Sequence, residues 1–244
     1  MISFVVCAFN EEKYIKATVD TIYKSVNNVE FIEKFEIIIV NDGSDDLTEK
    51  NIQELKSDFK NITYCKNQKN LGIGASIKKG LEQVKYSKFM LLPGGNDIHA
   101  DAIISTLKHF HSSDLVMPYP INTEDRSKFR NIVSKIYSLI YLICFDCCVN
   151  YINGTSIFPT EKVKNFKLNS NRHGIIAEIV TKLLYTDITY CEVPVYYKFP
   201  TKLRKTVTIK NLADVTISFM KLFIEMKIRN KNKVLRISKR KNIY

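Results

Sequence analysis

Through residue 118 the chain alternates short apolar runs with longer stretches in which apolar residues recur every three or four positions. The runs at 2–6, 35–40, 62–65, 89–92 and 114–117 are rich in β-branched and aromatic residues, the pattern of buried strands. Between them, 11–25, 45–59, 74–84 and 100–110 predict helices, with Asp45 or Asp46 placed to cap the second. Strands alternating with helices predict an α/β fold on a mainly parallel central sheet flanked by helices on both faces. Beyond Met117 the alternation weakens. Residues 127–149 predict one or two strongly apolar helices, 155–158 a strand, 173–184 a helix, 188–195 a strand, and 209–229 a long amphipathic helix. With no internal repeat and no linker, the expected organisation is one domain over 1–208 and a basic amphipathic helical extension over 209–244.

Composition narrows this little: 244 residues, 45% apolar and 25% charged, exclude a disordered tail or a disulfide miniprotein. Charge says more through its position. Of the net +12, all lies from Lys198 to Tyr244, which holds 14 basic and 2 acidic residues, while positions 1–197 balance at 23 of each. Such a tail favours a polyanion, either an anionic membrane surface, a pyrophosphate or nucleic acid, against the alternative of a plain solvated helix. The tail lacks interleaved stacking aromatics, so nucleic acid is not the expected partner.

Six cysteines follow no framework spacing, and the N-terminus runs straight into a strand-like segment without a signal peptide. Reduced thiols in a cytoplasmic protein are expected. Cys144, Cys147 and Cys148 form a lone C-x-x-C-C, short of the four ligands zinc needs. The longest apolar run, 136–145, falls below the ~18 to 20 residues that span a bilayer. Residues 127–149 and 209–229 nevertheless combine apolar stripes with Lys221, Lys227, Arg229 and further basic residues, as in a helix lying in an anionic interface. The alternative is that both helices bury their stripes on the core or in a homo-oligomer.

In open α/β sheets ligands sit at the carboxyl ends of strands, and there this chain concentrates its unusual residues. After successive strands come Ala8-Phe9-Asn10-Glu11-Glu12, Asn41-Asp42-Gly43-Ser44-Asp45-Asp46, the stretch Asn67 to Gly74, and Pro93-Gly94-Gly95-Asn96-Asp97. Asp42 at a strand tip can accept hydrogen bonds from a ribose or a base edge, or form an Asx-turn; position alone leaves both open. Gly72-Ile73-Gly74 begins like a nucleotide loop, but Ile77 stands where G-x-G-x-x-G needs its third glycine. Asp97 can hold a hard divalent cation shared with phosphate oxygens, or serve a turn.

The order of these loops is more specific than any one of them. FVVCAFNEEKYI, EIIIVNDGSDDLTE, NQKNLGIGASIKKGLE and FMLLPGGNDIHADAI resemble a family 2 glycosyltransferase of the GT-A fold, in the branch that includes polyprenyl-phosphate and dolichyl-phosphate sugar transferases. The resemblance covers 1–118 well and 150–210 loosely. It implies an inverting transfer of a sugar from a nucleotide-diphosphate donor to polyprenyl phosphate at the cytoplasmic, inner face of a membrane. Alternatives are transfer to a glycan hydroxyl in envelope polysaccharide synthesis, or a donor-binding scaffold without turnover. Phe9 and Glu11 would line the base and ribose pocket, Asp42 contact the nucleoside, and the Gly72 loop shape the donor site. Asp97 matches the last carboxylate of the D-x-D motif for Mg²⁺ or Mn²⁺, but Gly95 replaces the first. Cys7 stands where many relatives carry proline. Asn171-Arg172-His173-Gly174 with Glu178, then Cys191-Glu192-Val193-Pro194, resemble the acceptor-side helix and the E-V-P strand. Glu178 would then be the acceptor-side carboxylate, a general base for a hydroxyl acceptor, unless it is a surface glutamate. Past that strand Lys198, Lys202, Arg204 and Lys205 crowd the place of the family's diphosphate-binding residues. Arg204 or Lys205 is expected to neutralise the leaving diphosphate.

Overall fold

The computed structural model describes residues 1–125, 127–197, 209–229 and 238–243. Its frame is an eight-stranded sheet of β1 (Ile2–Ala8), β2 (Phe35–Asn41), β3 (Ile62–Lys66), β4 (Lys88–Pro93), β5 (Leu115–Pro120), β6 (Ile157–Pro159), β7 (Thr189–Val195) and β8 (Lys239–Arg240), in the order β3-β2-β1-β4-β6-β5-β7-β8. Every neighbouring pair is parallel except those of β6, which runs antiparallel between β4 and β5. The helices are α1 (Ile15–Asn27), α2 (Thr48–Asp58), α3 (Ile73–Gln83), α4 (Ala100–Lys108), α5 (Lys128–Phe145), α6 (Thr160–Lys164), α7 (Ile175–Leu184) and α8 (Ile209–Phe223), the last followed by a π-helical turn over Ile224–Arg229.

Strand alternation divides the interior in two. Phe4 and Val6 of β1 and Ile37 and Ile39 of β2 face Ile15, Val19 and Ile22 of α1 and Ile52 and Leu55 of α2. Val5, Ile38 and Val40 face the opposite way, onto Ile77 and Leu81 of α3 and the apolar residues of α5 and α7. Both faces are covered, so the strands read as continuous apolar runs rather than as alternating ones.

The helix expected over 45–59 begins at Thr48, and Asp46 accepts the Thr48 N–H at 2.9 Å. The described part of the extension from residue 209 packs against the core. Leu222 and Met226 are buried in it, Phe219 stacks edge-on against Tyr141 and Phe145, and Lys239–Arg240 adds a strand to the sheet edge beside β7. Both apolar helices thus bury one stripe and expose another. On α5, Phe129, Ile132, Ile136, Leu139 and Ile143 are exposed, and on α8 and its π-turn so are Ile217, Met220, Ile224 and Ile228. Among the described residues no helix is long and apolar enough to cross a membrane.

Candidate functional site

The strand order reverses at β1, with β2 on one side and β4 on the other, and such a switch point opens a crevice at the carboxyl edge. A cleft of about 540 Å³ lies there, within the range of ligand pockets. It is lined by Phe9 and Glu11 after β1, Asp42 after β2, Asn70, Gly72 and Ser76 around the start of α3, and Asp97 after β4. The far wall comes from Tyr151, Asn153 and Thr155 before β6, Arg172, His173 and Ile176 at the start of α7, and Tyr197 after β7.

The polar residues of the first two loops hold those loops together. Asn10, with φ of 56°, donates its N–H to Ser44 Oγ, and its side-chain oxygen accepts the Asp45 N–H. Glu11 N–H donates to Thr48 Oγ1 at 2.7 Å, Glu12 N–H to Asp46, and Leu47 N–H to Glu12. Backbone amides thereby find partners in side chains where the strands have ended. Phe9 keeps an exposed ring at the mouth of the cleft.

Asp42 is buried and organises the next loop. Its Oδ1 accepts from Asn67 Nδ2 at 2.8 Å and from Leu71 N–H at 3.0 Å, and its Oδ2 accepts the Gly72 N–H at 2.8 Å. Gly72 takes φ of 96°, and a Cβ there would lie 2.7 Å from Asn171 O and 2.8 Å from Arg172 Cγ. At Gly74 a Cβ would meet Asn171 backbone at 2.5 Å. The two glycines let the start of α3 close against the 171–172 segment, which is fastened by Ala75 N–H donating to Asn171 O at 3.1 Å.

On the β4 loop, Asn96 has φ of 52° and accepts the Thr21 hydroxyl of α1 on its Oδ1, while Asp97 lines the cleft. Among the described residues no three His, Cys, Asp or Glu side chains gather into a metal cage, at the C-x-x-C-C segment or elsewhere. The one carboxylate that the β4 loop brings to the cleft, Asp97, fits a hard cation that keeps water and shares phosphate oxygens with a substrate, the usual manner of Mg²⁺.

Phe9, Glu11, Asp42, Gly72 and Asp97 are therefore brought together. Glu178 is not with them. It is buried behind the wall, where Oε1 accepts Asn169 N–H at 2.9 Å, Oε2 accepts Ser170 N–H at 2.9 Å, and Lys182 Nζ lies 2.9 Å away. Lys182 also pairs with Glu225 at 2.8 Å and donates to Lys167 O. Glu178 is thus no surface glutamate but part of a buried ion pair that anchors the 169–170 turn. Arg204 and Lys205 lie outside the described residues, as do Lys198 and Lys202.

Two further lining residues, Arg172 and His173, stand directly before α7. Arg172 reaches Asp214 of α8, with Nε 3.2 Å from Oδ2. Burial pushes the His173 imidazole below its usual range, and the Arg172 charge adds to this, against a smaller opposing pull from Asp214. Burial and the Arg172 charge both favour the neutral imidazole. The signal for both was their place directly before α7, in the motif with Gly174.

All six cysteines are free thiols. Burial, reinforced by the Asp42 carboxylate, pushes the Cys7 thiol at the cleft floor up to about 12. At pH 8 iodoacetamide is expected to alkylate exposed Cys148 and spare Cys7, read by peptide mass spectrometry; equal labelling of the two would contradict this environment.

A family model described as glycosyl transferase family 2 matches residues 3–136. A poly-β-1,6-N-acetyl-D-glucosamine synthase of Staphylococcus epidermidis is 31% identical over 176 residues, covering 67% of this chain and 40% of that protein. An uncharacterized glycosyltransferase of Haemophilus influenzae is 37% identical over 81 residues, 33% of this chain and 24% of its own length. The matches thus span well under half the length of these curated relatives. Among solved structures, glucosyl-3-phosphoglycerate synthase of Mycobacterium tuberculosis in complex with Mn²⁺, UDP and phosphoglyceric acid superposes with TM-score 0.64 at 15% identity, over 91% of this chain and 78% of that one. TarS 1-349 of Staphylococcus aureus with UDP-GlcNAc gives 0.63 at 16%, over 93% and 66%. These likenesses establish the same mixed, mostly parallel fold.

Proposed function

The chain belongs to glycosyl transferase family 2, and from that membership we propose that it is an inverting glycosyltransferase moving a sugar from a nucleotide-diphosphate donor to a membrane-associated acceptor, polyprenyl phosphate. The observation that carries the donor half is the meeting of Phe9, Glu11, Asp42, Gly72 and Asp97 in one cleft at the carboxyl edge of the sheet. Phe9 offers an exposed ring face to a base, and Glu11 an acceptor to ribose hydroxyls. Asp42 sets the Gly72 loop whose backbone closes the nucleoside side. Asp97 would hold Mg²⁺ or Mn²⁺, which when bound supplies positive charge to the diphosphate oxygens. The remaining work of the chain is to fix donor and acceptor in line and to keep water away from the anomeric carbon.

A phosphate acceptor agrees with the far wall. Its described side chains are hydroxyl, amide, imidazole, guanidinium and apolar groups, and an ionised phosphate needs no base to deprotonate it. A second reading, transfer to a glycan hydroxyl, is favoured by the names of the curated relatives, poly-β-1,6-N-acetyl-D-glucosamine synthase and teichoic acid poly(glycerol phosphate) polymerase. In that case neutral His173 is the group placed to take the proton.

The exposed stripes of α5 and α8 support a seat at the inner, cytoplasmic face of a membrane. Lys128 and Lys135 flank exposed isoleucines on α5, a helix without an acidic residue, and each basic group near an anionic surface contributes about 1 kcal/mol. Sedimentation with phosphatidylglycerol vesicles, weaker with Ile136→Glu and Ile143→Glu together and lost with phosphatidylcholine, is the expected result. A concentration-dependent dimer that ignores vesicles would instead give the stripes to a homo-oligomer.

The acceptor is tested by incubating the protein with radiolabelled UDP- and GDP-sugars and either polyprenyl phosphate in vesicles or glycan oligosaccharides. Label passing into the organic phase supports the phosphate acceptor, and label on oligosaccharide supports the second reading. Label on neither, with any donor, would leave a donor-binding scaffold.

A further inference from the structure

The described lining of the cleft holds carboxylates and a single guanidinium. The carboxylates are Glu11, Asp42 and Asp97, and among the described lining residues Arg172 is the one permanent cation. A nucleoside diphosphate entering there adds further negative charge, and a single carboxylate at the cation position gives a metal only a weak hold. We infer that Arg172 binds the donor's diphosphate and stabilises it as it leaves, with Asp214 of α8 positioning the guanidinium; the inference rests on the donor reading above.

Three features of the fold place Arg172 for this. Its backbone is clamped to the donor loop by the Ala75–Asn171 hydrogen bond. Its side-chain stem runs against Gly72, where any Cβ would strike Cγ. The Asp214 contact is made through Nε at 3.2 Å, which leaves the two terminal nitrogens of the guanidinium fork for phosphate oxygens. Asp42, Gly72, Arg172 and Asp214 form a continuous chain of contacts from the nucleoside side of the cleft to α8.

The step it serves balances as follows. The acceptor oxygen forms its bond to the anomeric carbon as the bond from that carbon to the diphosphate oxygen breaks. The electron pair of the broken bond leaves on the nucleoside diphosphate, whose charge grows by one unit, and Arg172 faces that growth. A phosphate acceptor brings no proton to the step; a hydroxyl acceptor passes its proton to His173.

The test is calorimetric titration of the purified chain with UDP, GDP, uridine and guanosine in EDTA, so that no metal contributes, with donor kinetics in Mn²⁺ alongside. Arg172→Ala is expected to weaken nucleoside diphosphate binding about tenfold or more and to leave nucleoside binding unchanged, with Arg172→Lys recovering part of the loss. Asp214→Asn keeps the cation but frees it, so kcat is expected to fall about fivefold to tenfold while donor KM does not rise. Thermal melting of each variant checks that the fold is intact. If wild-type protein binds neither diphosphate, in EDTA or in Mn²⁺, the donor reading itself fails. If it binds one, and Arg172→Ala loses equally for nucleoside and diphosphate or loses nothing, this inference is overturned and the donor reading stands.

Discussion

Replacing Asp97 by Asn is expected to lower kcat by about 10²- to 10³-fold while the melting temperature stays within about 2 °C of wild type. Asn keeps the shape and a carbonyl oxygen but removes the negative charge on which a hard cation depends. The loss should be deep because the β4 loop offers no substitute. Position 95 is a glycine, and Asn96 is turned into a contact with Thr21. Stability is spared because Asp97 is only partly buried on a loop already shaped by Asn96 and Gly94. Initial rates over a Mn²⁺ titration check this, and near-normal turnover at every concentration would remove Asp97 from the site.

Glu178→Ala is expected to act in the opposite way, lowering stability by about 3 kcal/mol or more, which is ~10 °C in melting for a chain of this size. The substitution strips acceptors from the Asn169 and Ser170 N–H groups and takes one of two carboxylates from buried Lys182. Turnover measured well below the melting range should fall less than about threefold, because the carboxylate does not reach the cleft. Unchanged melting with collapsed turnover would put Glu178 back beside the acceptor.

That contrast marks what the sequence could reveal. The strands at 2–6, 35–40 and 89–92 were legible because both faces of a parallel sheet are covered, which forces near-continuous β-branched runs. The donor-side residues followed from the strands, since in an open sheet the residues after each strand tip share one edge. Glu178 was not legible in the same way. Its helix is buried almost all round, from Ile175 to Leu184, so periodicity could not say which face met the cleft. Arg172 was hidden for another reason: its place depends on Gly72 and Gly74, about a hundred residues earlier. Two glycines announce a close approach but not what approaches. The reversed direction of β6 and the two-residue strand β8 within a basic tail likewise depend on pairing partners distant in sequence.

In the proposed reaction this cleft binds a nucleotide sugar and releases the nucleoside diphosphate as the sugar moves to an acceptor. The most direct test of that reaction is release of nucleoside diphosphate from a panel of UDP- and GDP-sugars, measured with and without acceptor and with Asp97→Asn as control. Release is expected from sugars of one nucleotide, raised by acceptor and by Mn²⁺ and lost in the variant. Release that is equal in wild type and Asp97→Asn, or absent with every donor and acceptor, would contradict the proposed reaction.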